Sequence, residues 1–308
     1  MNGSTRSHAR KDSFDHPGAG LLLGLGAYGL WGVLPVYFKL LPGVSAFLIV
    51  AHRVLWSLPF LALLLTIGHG WPKIAAILKD RRTLRILGVS TILIGINWML
   101  YTYAVTGGHI LAASFGYYLN PLANILLGRF VLKEKLSRLQ WTAVAIAAAG
   151  VSVLALGALD QLWISLTLCV TFALYGLLRK VVAADSLSGL AVETTLIAPF
   201  AIAYIVYLIA TGLPVIAPTD FENGLLLFAG IASTTPLLLF AGAARRLLYS
   251  TLGMIQFLAP TLQFLLAVLF YGEAFTTAHA IAFGAIWVAI ACYVTAMARK
   301  PRLPQAPE

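Results

Sequence analysis

Hydrophobic residues run along this chain in long stretches broken by short polar or basic turns. Each stretch is close to the roughly 20 residues that an α-helix needs to cross hydrocarbon. Ten such segments follow one another, near 19–39, 45–67, 86–105, 112–135, 139–156, 161–178, 190–211, 224–244, 252–273 and 278–297. Polar tails flank them at 1–17 and 299–308, and a basic, partly amphipathic loop with Trp71, Lys73, Lys79, Arg81, Arg82 and Arg85 separates the second from the third. The predicted class is an all-α membrane protein with ten transmembrane helices.

Two segments share a polar skeleton 139 positions apart, Pro121 matching Pro260 and Glu134 matching Glu273. Positions spaced by three and four lie along one helix stripe. In the first copy the stripe is Ser114, Tyr117, Pro121, Asn124 and Gly128; in the second it is Gly253, Gln256, Pro260, Gln263 and Ala267. Such a face cannot meet lipid, because an unsatisfied polar group there costs several kcal/mol. It either packs helix on helix, with proline as a kink, or lines a shared cavity. Further matches are Trp31-Gly32 with Tyr175-Gly176 and Pro59 with Pro199. The chain thus divides into halves of five segments, 18–157 and 158–298.

Charge placement orients the segments. Of the 21 lysines and arginines, all but Lys39 and Arg53 fall in the tails or in alternate loops on one side. By the positive-inside rule that side, with both termini, is cytoplasmic. Five spans per half is an odd number, so the second half is expected upside down relative to the first. Inverted repeats of this kind build a site at their interface near the bilayer midplane.

Composition agrees with a membrane protein: 60% hydrophobic, 10% charged, mean hydropathy +0.89. The net charge of +10 comes from the loops and forms no nucleic-acid-binding stripe. Cys169 and Cys292 sit in apolar segments without metal-ligand or disulfide spacing. There is no phosphate-binding GxxxxGK[ST], HExxH or GxSxG motif, so neither an ATP-driven pump nor an enzyme is indicated, and no cofactor is expected.

Two ionisable residues lie inside spans, Arg53 and Glu193, each six residues before its matched proline. A charge there is a functional-site candidate by default, against the alternative of a helix anchor. Inversion places Arg53 toward the outer leaflet and Glu193 toward the inner one, so their pairing is not assumed. The aromatic residues Trp31, Trp98, Tyr101, Tyr117, Tyr118 and Tyr175, with Asn97, Ser114, Asn124, Gln256 and Gln263, make up the candidate solute site. They suit an apolar cavity with a few hydroxyls and amides. Tyr117 and Gln256 are expected to converge near the centre, with Ile125 and Leu265 on the lipid side.

The motifs resemble the RarD branch of the drug/metabolite transporter superfamily. Trp31-Gly32, His52-Arg53, Asn97-Trp98, Ser114-Phe115-Gly116-Tyr117, Asn120-Pro121 and Glu134 carry the likeness in the first half. Tyr175-Gly176, Glu193-Thr194, Ser250-Thr251-Leu252-Gly253, Gln256, Pro260-Thr261 and Tyr271-Gly272-Glu273 carry it in the second. The resemblance spans about 18–297 and implies two EamA-type five-helix repeats around a central cavity, with secondary transport, usually export. Similar members are linked by name to chloramphenicol sensitivity, and a related branch exports amino acids. Where the family pattern has acids, this chain has Leu48 and Ala112, which weakens the transfer of a proton-coupled or cation-selective mechanism from the resemblance. The expected function is export of small metabolites, foremost amino acids, across the bacterial inner membrane by alternating access. Rival readings are a drug or nucleotide-sugar carrier and a non-transporting scaffold. The expected partners are the solute and the lipid bilayer, with no nucleic acid. Small-residue pairs, Ala145/Ala149 and Ala285/Ala289, permit a monomer or a homodimer.

Overall fold

The computed structural model describes residues 17–106, 109–155, 162–271 and 277–298. The tails, the join between the halves around Asp160 and the repeat's second acid, Glu273, lie outside the described residues. The described secondary structure is all helix. The helices are α1 (Pro17–Lys39), α2 (Ala46–Ile67), α3 (Trp71–Lys79), α4 (Arg81–Thr106), α5 (Ile110–Phe130) and α6 (Arg138–Ala155). In the second half they are α7 (Leu162–Val181), α8 (Ser186–Ala210), α9 (Asp220–Arg246), α10 (Tyr249–Gln256), α11 (Leu258–Leu269) and α12 (Thr277–Ala298). Seven of these, α1, α2, α4, α7, α8, α9 and α12, are each long and apolar enough to cross a membrane. Helices α5, α6 and the α10–α11 pair occupy the other three predicted segments.

Helix starts follow local chemistry. Ser45 caps α2 by accepting from Leu48 N–H, and Asp185 caps α8 by accepting from the N–H groups of Leu187 and Ser188. Thr219 and Glu222 form a reciprocal capping box at α9. The basic segment after α2, expected as a loop, contains the nine-residue helix α3. Pro121 lies within an unbroken α5, whereas its counterpart Pro260 follows a break at Phe257 that divides α10 from α11. A proline lacks the N–H that would bond the carbonyl four residues back, here Gln256, which is where the helix gives way.

The core forms mostly between the halves. From the first half, α1 packs on α9 and α11; from the second, α7 packs on α4 and α5. Helix α2 lies against α8 and α9, α5 against α10, and α6 against α12. The last contact is tight, because a Cβ on Gly150 would stand 2.6 Å from the Ala285 Cβ and 3.0 Å from the Ala282 carbonyl. Of the two small-residue pairs, Ala285/Ala289 is therefore used inside the bundle, while Ala145 and Ala149 are exposed.

Candidate functional site

A cleft opens where α2 and α4 of the first half meet α7, α8 and α9 of the second. As it stands, the cleft has room for little more than a water molecule. Trp98, Tyr175, Ile94 and Leu237 supply apolar surface; Ser57, Thr194, Ser233 and Thr234 supply hydroxyls; Glu193 supplies the one carboxylate. Helices α2 and α9 approach closely at Gly230, where any side chain would collide with the Trp56–Ser57 backbone. That approach lets Thr234 donate to Ser57 Oγ at 2.7 Å across the wall.

Arg53 stands at this wall. Its Nε donates to Ser233 Oγ at 2.6 Å, and its guanidinium lies 5.1 Å from the Trp98 ring, a cation–π distance. Glu193, on α8, is 3% exposed and ion-paired at 3.6 Å with Arg179, which is fully buried. The Ser90 hydroxyl donates to the Glu193 carboxylate, and Tyr175 stands beside it. Arg53 and Glu193 are not each other's partners. Arg179 was read from sequence as a loop charge at the end of a span; it is instead the counter-ion of Glu193. The signal was the cost of an isolated buried carboxylate, which demands a nearby cation. Among the described residues, Glu193 Oε2 and Arg179 Nε are buried without a hydrogen-bond partner.

An aromatic cluster adjoins the cleft. Trp31, Phe172, Tyr175 and Phe240 meet at ring separations of 5.6–6.2 Å. Tyr117 touches Phe172 at 6.4 Å and Tyr101 at 5.6 Å, and its hydroxyl donates to Asn97 Oδ1 at 3.2 Å. The Asn97 amide in turn donates to the Leu168 carbonyl at 2.9 Å and to Thr171 Oγ1 at 3.0 Å, joining α4 to α7.

Other predicted residues lie elsewhere. Gln256 does not converge with Tyr117. Its Oε1 accepts from Asn124 Nδ2 at 2.6 Å and from the Tyr28 hydroxyl at 3.3 Å. Helices α5 and α10 touch along the two stripes themselves, since a Cβ on Gly253 would lie 2.6 Å from the Pro121 carbonyl. Around Asn124 and Gln256 the stripes thus serve packing. Tyr118, one residue from Tyr117 and about 100° around the helix, faces Phe283 of α12. Ser114 is exposed, and the exposed Gln263 donates to the Trp31 carbonyl at 3.0 Å. Ile125 is not on the lipid side; it is fully buried in the cluster holding Met254, Phe257 and Tyr293. A helix in the middle of a bundle buries more than one face, which a single-stripe reading overlooks.

Below the cleft, the ends of α5, α7, α9 and α10 are cross-linked by charge. Glu134, in the turn after α5, accepts from Tyr249 N–H at 2.5 Å, Ser250 N–H at 2.9 Å and Ser250 Oγ at 2.6 Å. It caps the N-terminus of α10 from another part of the chain, where a carboxylate also meets the positive end of the helix dipole. Lys180 of α7 donates to the Ala244 carbonyl at 2.9 Å, and Arg245 of α9 donates to the Val182 carbonyl at 3.3 Å. Each of these helices has its last carbonyls capped by the other's cation. Among the described residues no cluster of His, Cys, Asp or Glu could hold a metal ion.

Comparison with known proteins places this arrangement. Residues 18–156 match the EamA-like transporter family. The chain is 43% identical to an uncharacterized transporter of Vibrio cholerae over 275 residues, 89% of this chain and 91% of that one. It is also 43% identical to Protein RarD of Salmonella typhi over 283 residues, 89% of this chain and 94% of that one. A crystal structure of a protein 20% identical superposes with a TM-score of 0.69, spanning 93% of this chain and all of the other. The chain is a multi-pass membrane protein that belongs to the EamA-like transporter family, in its RarD group.

Proposed function

We propose that this transporter exports small metabolites, foremost amino acids, by alternating access across the bacterial inner membrane. In this reading ten spans form two inverted five-helix repeats, with both termini cytoplasmic. The exchanged contacts support the repeat: α1 with α9 and α7 with α4 are the same pair taken once from each half. The match of α2 with α8, α5 with α10 and α6 with α12 pairs each helix with its own counterpart.

One observation carries the substrate class. Trp98, Tyr175 and Glu193 line the cleft with the hydroxyls of Ser57, Thr194, Ser233 and Thr234, and Arg53 is tied to it through Ser233. An apolar, aromatic-walled cleft with several hydroxyls suits a small amphiphilic solute such as an amino acid with a hydrophobic side chain, the Glu193 charge being already matched by Arg179. A nucleotide-sugar or phosphorylated solute would call for cations in the lining; among the described residues that line the cleft there is none, and Arg179 is engaged by Glu193.

Counterflow in proteoliposomes with a panel of amino acids tests the reading. Amino-acid exchange that Arg53→Ala abolishes and Arg53→Lys only partly restores is expected, because lysine keeps the charge but not the forked geometry. Exchange of neutral drugs with none of amino acids would replace the substrate class and keep the fold. Orientation is tested separately: a cysteine beside Asp220 is expected to react with an impermeant thiol reagent from outside.

A further inference from the structure

A second cavity lies away from the central cleft, beside α3. It is a groove of about 780 Å³, open space included, between α2, α3, the start of α4 and α8. Its walls are almost wholly aliphatic, with Leu61, Leu65, Ile74, Leu78 and Val192 among them. Two lining side chains carry polar atoms, and both are committed. Thr195 donates back to the Ala191 carbonyl at 2.8 Å, and Trp71 Nε1 donates to Thr66 Oγ1 at 3.0 Å. The groove offers a polar ligand nothing to bind; it suits hydrocarbon.

Its rim is different. Lys73, Lys79, Arg81, Arg82 and Arg85 are all exposed along α3 and the turn into α4. The two acids beside these five cations are occupied. Asp80 accepts from Arg82 N–H at 3.0 Å and Thr83 Oγ1 at 2.5 Å, and Asp185 caps α8 while pairing with Lys73 at 3.6 Å. Helix α3 buries Ile77 against Leu87 and Val192 but leaves Trp71 and Leu78 about half exposed. That is the posture of a helix lying in the membrane interface.

We propose that the groove under α3 holds an acyl chain of an anionic phospholipid whose headgroup sits on the basic turn Lys79–Arg85. The aliphatic walls select the chain and the cations select the headgroup. Annular lipid beside the same cations would share the headgroup preference, but its contact with Trp71 would not depend on the groove. Each cation near a membrane surface contributes about fivefold to the preference for an anionic lipid.

The test uses the full chain in vesicles of phosphatidylcholine doped with a lipid brominated on its acyl chains, either phosphatidylglycerol or phosphatidylcholine. Trp71 fluorescence is isolated as the difference from Trp71→Phe. Quenching of Trp71 at a several-fold lower mole fraction of brominated phosphatidylglycerol than of brominated phosphatidylcholine is the expected result. Arg81→Gln/Arg82→Gln/Arg85→Gln, all at exposed positions, should erase that preference. Ala62→Phe, which fills the groove, should weaken quenching by both lipids. Equal quenching of the wild-type protein by the two lipids would overturn the proposal, as would a preference that survives the triple substitution.

Discussion

The buried pair Arg179–Glu193 invites a double-mutant cycle. Neither partner reaches solvent: Arg179 is 0% exposed and Glu193 3%. The guanidinium fits only because residue 189 is glycine; a Cβ there would lie 2.9 Å from Nη2 and 3.0 Å from Cζ. Removing one member of a buried pair leaves an uncompensated charge and costs about 3–5 kcal/mol, whereas replacing both with apolar groups of similar size is near neutral. Arg179→Met alone and Glu193→Leu alone are therefore expected to lower the apparent Tm by about 6 °C or more, at about 2–4 °C per kcal/mol. The Arg179→Met/Glu193→Leu double variant should recover most of that loss, so that the coupling is at least the cost of one single substitution, about 3–5 kcal/mol. Gly189→Ala is an independent route to the same end, because it displaces the guanidinium without altering either charge. The assay is thermal unfolding in detergent followed by fluorescence-detected size exclusion, with counterflow measured on the same preparations. The restored double variant is expected to be stable and inactive, since Glu193 lines the cleft. Additive losses in the double variant would refute the pairing as an energetic unit.

Three further outcomes are expected. Glu134→Gln keeps one acceptor for the α10 N-terminus but loses the charge that serves three hydrogen bonds; about 1.5–3 kcal/mol is at stake per charged bond, and proteolysis around residues 247–250 should accelerate. Gln256→Leu strands Asn124 Nδ2 and the Tyr28 hydroxyl and should cost about 1–3 kcal/mol in thermal stability, whereas Tyr117→Phe, whose partner Asn97 keeps its other bonds, should alter transport more than stability. Burial alone would raise the Asp185 carboxyl, but the Ser188 N–H and hydroxyl and then Lys73 outweigh it and hold it below the usual carboxylate range. Its stabilisation is thus complete above the unfolded-state value, about pH 4, and is lost as pH falls through the lower folded value; the Tm advantage of wild type over Asp185→Asn should shrink on acidification below that point, and an advantage constant with pH would contradict this.

The apolar segments were legible because a membrane-crossing helix announces itself by length and hydropathy alone. Helix α3 was not, since nine residues with two lysines and a tryptophan read equally well as a basic loop. Side-chain partners were harder still. Small and polar positions along a stripe are demanded both by a cavity and by two backbones in contact, and Asn124 with Gln256 proved to be the second case while Tyr117 approached the first. Arg179 escaped because it stands beside Lys180 at the end of its span, where a cation is expected on topological grounds. Only the three-dimensional return of α8 past the end of α7 turns it inward. Trp98, Tyr175 and Glu193 stood out in the sequence as aromatic and ionisable residues deep in a span, and all three line the cleft.

The exchange of contacts between halves bears on how the molecule is made. Helix α1 rests on α9 and α11, α2 on α8, and α6 on α12. When the ribosome has finished α6, most surfaces that will become interior still have no counterpart in existence. The nascent first half must wait in the bilayer as a loose set of separately inserted helices, and assembly completes only when the last span arrives to meet α6. A stop codon anywhere before α12 would yield a product without its final packing surface and a target for membrane quality control. Two half-chains made from separate messages, by contrast, would each lack most of their interior and would complete it only in each other.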